Sequence, residues 1–181
     1  SIVDSPQKKW RSYPIRQLFA TKPLKAYAGN TNAQATHFRK NIRDLKLAFK
    51  FHGIPDDKSI MPGSSIALIG VVPQGAFHEE LGGWSGAAQF FDAKNIGSCS
   101  YGVMNVKASG TSALLAIEDV VYDVNNKATI ILAEGNEKSG FIYKVEWYDN
   151  DNFHELECAN MKYSANIKNA VVELAKNIDT L

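Results

Sequence analysis

From Leu114 to Cys158 apolar and polar positions alternate in short runs broken by turn residues. That is the pattern of half-buried β-strands joined by tight loops. Val120 to Val124 is β-branched and aromatic. Asn125-Asn126 follows, and then Ala128 to Leu132. Asparagine tolerates positive φ, so this pair predicts a type I′ hairpin turn. Gly135 to Gly140 is a polar break. The next run alternates, with Phe141, Tyr143, Val145 and Trp147 on one face and Lys144 and Glu146 on the other. Asp149 to Asn152 reads as a turn and Phe153 to Cys158 as the returning strand.

The last hairpin predicts its own register. Placing Tyr148 opposite Phe153 puts Val145 against Leu156, Tyr143 against Cys158 and Trp147 against His154. Lys144 then meets Glu157, and Glu146 meets Glu155 in a like-charge conflict. Slipping by one residue would turn the aromatic face onto Glu155 and Glu157, so burial selects the first register.

Elsewhere the spacing predicts two helices. Phe38, Ile42, Leu45, Phe49 and His52 recur at intervals of four and three, which predicts a helix over residues 32–53 ended by Gly53 and Pro55. Ile167, Val171, Leu174 and Ile178 predict a second over 164–178, capped by Ser164 with Tyr163 packed on its first turn. Ile66 to Val72 is continuously apolar, as in a strand buried on both faces. Residues 73–83 read as irregular, 86–96 as a short helix capped by Ser85, and 99–107 as another strand. The expected fold class is α+β: an antiparallel meander of about five or six strands packed against both long helices.

Residues 1–30 break these periods. Pro6, Pro14 and Pro23 interrupt helix and strand, while Trp10, Tyr13, Phe19 and Tyr27 argue against plain disorder. They read as an extended basic and aromatic arm ahead of a single domain over 31–181. In this chain of 181 residues the net charge is +1, but it is unevenly placed. Bases dominate up to His52, and acids dominate from Glu118 to Glu157. Such asymmetry suits an anionic partner, or two solvated faces of one chain. The candidate binding residues are Lys8, Lys9, Trp10, Arg11, Tyr13, Arg16, Arg39, Arg43 and Lys46.

Candidate chemistry is sparse. Phe77-His78-Glu79-Glu80 and Phe153-His154-Glu155 offer imidazole and carboxylate, so a metal-dependent hydrolase built on His78 and His154 is one alternative. Neither stretch is H-E-x-x-H, and adjacent strand residues point to opposite faces. Gly82-Gly83-Trp84-Ser85-Gly86 has neither the nucleophile-elbow nor a phosphate-loop spacing. No cofactor motif is present. Cys99 and Cys158 both fall in expected strands, where a disulfide and two buried thiols fit equally. No apolar run reaches the ~20 residues needed to span a bilayer.

These features lead to a non-catalytic binding or scaffold domain of a larger protein assembly, engaged through its N-terminal arm and without catalytic residues or cofactor. Its expected setting is exported, periplasmic or secreted. A nucleic-acid-binding protein using the basic half is the other alternative, because cations interleaved with aromatics suit phosphates and bases.

Overall fold

The computed structural model describes residues 39–55, 66–110 and 120–181. Among them one antiparallel sheet holds seven strands in the order β1-β2-β3-β7-β6-β5-β4. The strands are β1 (Ile66–His78), β2 (Gly83–Ala93), β3 (Gly97–Asn105), β4 (Val121–Val124), β5 (Lys127–Asn136), β6 (Gly140–Tyr148) and β7 (Asn152–Asn160). The short helix α1 (Val106–Ser109) follows β3, and α2 (Ala165–Asp179) closes the chain. The α+β class, the antiparallel meander and the C-terminal helix therefore stand. No helix among the described residues is long and apolar enough to cross a membrane.

The meander follows its sequence pattern closely. Asn125 and Asn126 have φ of 50° and 64°, the left-handed pair that a type I′ turn needs. The β6–β7 ladder pairs Tyr148 with Phe153, Trp147 with His154, Val145 with Leu156 and Tyr143 with Cys158. The odd-numbered face of β6 is thereby buried against α2. Val171, Leu174, Ala175 and Ile178 of α2 join Tyr143, Val145, Trp147 and Leu156 in one core. Ser164 caps α2 by accepting from Asn166 N and Ile167 N. Tyr143 Oη accepts from Ser164 N at 2.9 Å and donates to Lys162 O at 2.7 Å, fixing where the helix begins. Tyr163 stacks on Tyr143 at 5.9 Å.

Two expected helices are corrected. Residues 39–53, the described part of the first, contain no α-helix: Ile42–Asp44 is a single 3-10 turn, and the chain then continues to Pro55 through bends at Ala48-Phe49 and Ile54. The physical reason lies in a second period. Leu45, Leu47, Phe49 and Phe51 alternate with Lys46, Ala48, Lys50 and His52, which suits a chain lying flat on a core. Phe49 and Phe51 pack against that core. Residues 86–93 belong to β2, a strand buried on both faces. Phe91 and Ala93 join the main core, and Ala88 and Phe90 form a second cluster with Val72. A strand covered on both sides loses its alternation and cannot be told from a helix by period alone. Residues 73–78, read as irregular, extend β1. A register shift between Gln74 and Phe77 accommodates them around Gly75, whose φ is 75°.

Candidate functional site

Polar and charged side chains gather in three places: a ribbon at the β1–β2 end of the sheet, a relay within the core, and a charged set on the opposite face.

The ribbon is residues 39–54, held to the sheet by its backbone. Arg39 and Val71 exchange two hydrogen bonds of 2.8 Å. Trp84 N donates to Lys46 O at 2.9 Å, and Ala48 N donates to Trp84 O at 2.8 Å. This approach depends on Gly83, where a Cβ would collide with Lys46 O and the Leu47 backbone. At the far end Gln89, buried in β2, clamps Ile54. Its Oε1 accepts from Ile54 N at 2.7 Å and its Nε2 donates to Ile54 O at 3.0 Å. Clamped at both ends, the ribbon turns Phe49 and Phe51 inward and leaves Arg39, Lys40, Arg43, Lys46 and Lys50 exposed. Lys40, Arg43, Lys46 and Lys50 form no ion pair among the described residues. Arg39, Arg43 and Lys46 are all exposed on the ribbon. Lys8, Lys9, Trp10, Arg11, Tyr13 and Arg16 lie outside the described residues.

The relay crosses β3, β7 and the β6–β7 turn. His154 Nε2 lies 2.8 Å from Asp149 Oδ2, and His154 Nδ1 lies 2.8 Å from Tyr101 Oη. Asp149 Oδ1 accepts from Asp151 N at 2.8 Å and Asn152 N at 2.6 Å, so the same carboxylate builds the turn. Burial opposes charge on Asp149, but the bonds from His154, Asn152 and Asp151 override it and lower its pKa. A carboxylate only accepts, so His154 carries its proton on Nε2, and Nδ1 accepts from the Tyr101 hydroxyl. Burial lowers the His154 pKa against the pull of Asp149, and burial raises that of Tyr101. Trp147 lies parallel to the His154 ring at a centroid distance of 5.0 Å. Its Nε1 donates to Asp179 at 2.9 Å, and Lys127 reaches Asp179 at 2.8 Å. Tyr101 and His154 are only 3% and 7% exposed, while the Asp149 side chain is partly exposed.

His78 and His154 do not come together. They sit on β1 and β7, three strand spacings apart, or about 14 Å at least. Both ring nitrogens of His154 are engaged, and no group of metal-type side chains forms among the described residues. His78 Nδ1 faces Glu80 at 3.4 Å, while its Nε2 is buried with no hydrogen-bond partner.

On the other face Lys144 lies 3.1 Å from Glu157, 3.8 Å from Glu146 and 3.9 Å from Glu155. Burial would lower the Lys144 pKa, but these acids override it and raise it. Burial, with Glu157 beside it, pushes Glu155 up to about 8. The conflict between Glu146 and Glu155 is real in the ladder, and Lys144 lies within 4 Å of both carboxylates. Cys99 and Cys158 are direct partners across β3 and β7 and are joined by a disulfide buried in the core.

Tyr101, Asp149 and Asp179 were not among the expected site residues. The β6–β7 register brings Trp147 to His154, but Tyr101 arrives through the β3–β7 pairing, which no turn signal announces. Comparison with protein-family models, curated proteins and solved structures finds no match to this chain.

Proposed function

We propose that this chain is a non-catalytic binding or scaffold module of a larger assembly, and that the cationic ribbon forms part of its contact surface with an anionic partner. Residues 1–30 carry similar cations and aromatics in their sequence, and on this reading they engage the same partner. One observation carries the reading. Lys40, Arg43, Lys46 and Lys50 stand exposed and without ion pairs on a backbone bonded to the sheet at both ends. By contrast, the imidazole, carboxylate and hydroxyl of the core relay are used up on one another. Cations held on a fixed frame raise the local concentration of an anionic partner and speed its capture.

An acidic protein surface suits the ribbon better than single-stranded nucleic acid does. Phe49 and Phe51, the aromatics of the ribbon, pack against the core and offer no stacking platform to bases. The buried disulfide supports an exported or envelope setting, where such bonds persist.

The test is co-purification of the full chain from its native source, beside a variant with Lys40, Arg43, Lys46 and Lys50 all changed to Glu. Salt-sensitive association with a protein, absent from the variant, is the expected result. Equal recovery of that partner by both chains would contradict the ribbon's role. Loss of association on nuclease treatment would assign it to nucleic acid instead.

A further inference from the structure

We infer that the Tyr101–His154–Asp149 relay is an acid-sensitive latch, which holds the β6–β7 turn and the start of α1 onto β3 while His154 is neutral and releases them when it is protonated. This stands whether or not the ribbon binds an anion.

The geometry gives His154 one stable protonation pattern. Tyr101 Oη donates to Nδ1, and Nε2 donates to Asp149 Oδ2. A second proton would sit on Nδ1 and point at the Tyr101 oxygen. The hydroxyl hydrogen must then leave, and among the described residues the Tyr101 oxygen has no hydrogen-bond partner besides His154, while its ring lies between those of Phe51 and Trp147 at centroid distances of 5.8 Å. A buried donor without an acceptor is costly. The charged groups facing His154 come from each packed element: Asp149 in the turn, Asp179 at the end of α2 and Lys127 at the start of β5. The two carboxylates favour an imidazolium, while Lys127 opposes it. Asp179 is largely committed elsewhere, to Lys127, Trp147 and Asn125.

The release has a defined extent. Asp149 holds the turn amides of Asp151 and Asn152, so carboxylate and turn move together. Asp151 O in turn accepts from Val106 N at 2.9 Å, the first residue of α1. Asn105, which caps α1 through Ala108 N, also donates to Asn152 Oδ1. Letting go of Asp149 therefore loosens the turn and the α1 start as one unit. The disulfide and the rest of the β3–β7 ladder keep the strands paired.

The test is amide hydrogen exchange on the full chain at about pH 7.5 and about pH 5.5, corrected for intrinsic rates. Opening of the Val106, Asp151 and Asn152 amides should rise at the lower pH, by at most about tenfold. A released imidazole takes up its proton near the ordinary value of about 6.5. The β1–β2 ladder should not change. Tyr101→Phe removes the hydroxyl that protonation would strand, so it should shrink the rise. Nitrogen NMR of the native protein gives a readout that needs no variant: an Nε2–H tautomer with bare Nδ1 at neutral pH. An Nδ1–H tautomer, an imidazolium at neutral pH, or opening that rises equally across the sheet would each overturn the latch.

Discussion

The meander end of the sheet and the ribbon end treat polar groups in opposite ways. Around β3, β7 and β6 nearly every buried polar atom has a partner: Tyr101 to His154 to Asp149, Trp147 to Asp179, Tyr143 to Ser164 and Lys162. At the ribbon the backbone is paired, while Lys40, Arg43, Lys46 and Lys50 form no ion pair among the described residues. In the meander polarity holds the fold together, and changes there should alter stability. In the ribbon it is surplus to folding, and changes there should alter binding alone.

The largest expected effect lies in the meander. The Cys99–Cys158 bond links positions 59 residues apart and crosses directly between two central strands. Replacing both cysteines by serine should cost about 4 kcal/mol on the chain-entropy account, read from urea unfolding. A loss under about 1 kcal/mol would mean that the unfolded chain is already constrained there. Next comes Tyr101→Phe, which leaves His154 Nδ1 without its donor. At neutral pH it should cost about 1–3 kcal/mol.

Stability against pH separates the two faces of the meander. His154 has a folded pKa below its ordinary 6.5, so the unfolded chain takes up the proton first. Its contribution is present above 6.5 and is lost as pH falls. Glu155 works the other way. Its folded value of about 8 lies above the ordinary 4.5, so its contribution is present below 4.5 and is lost as pH rises through about 8. The two windows overlap between about pH 4.5 and 6.5, where their slopes oppose each other, so thermal unfolding should show its clearest loss on the alkaline flank above about 6.5, where Glu155 acts alone. Glu155→Gln should flatten the alkaline flank and uncover the loss due to His154 below about 6.5. An unchanged alkaline flank would show that Lys144 already neutralises the set.

The same contrast explains how much could be read from sequence. In the meander, turn chemistry and alternation agree, so Asn125-Asn126 and the Tyr148–Phe153 register are legible residue by residue. His154 beside Trp147 follows from that register. Tyr101 does not, because β3 joins β7 across a long sequence separation with no local signal. Residues 39–53 carry two apolar periods at once. The helical one, Phe38-Ile42-Leu45-Phe49, is as regular as the extended one, Leu45-Leu47-Phe49-Phe51. The choice is made by tertiary partners invisible in the sequence: the Gln89 clamp on Ile54 and the space left by Gly83. In β2 burial on both faces erases the alternation altogether. The ribbon's cations are legible as residue types, but only pairing in the fold distinguishes them from charges such as Lys144 and Lys127, which are tied up internally.

The smallest effect is the most direct test of the contrast between the two ends. Urea unfolding of a variant with Lys40, Arg43, Lys46 and Lys50 all changed to Gln should match the native chain within about 0.5 kcal/mol, as expected for surface groups without partners. A loss of more than about 1 kcal/mol would show that these cations hold the fold together, and would contradict their role as a surface kept for a partner.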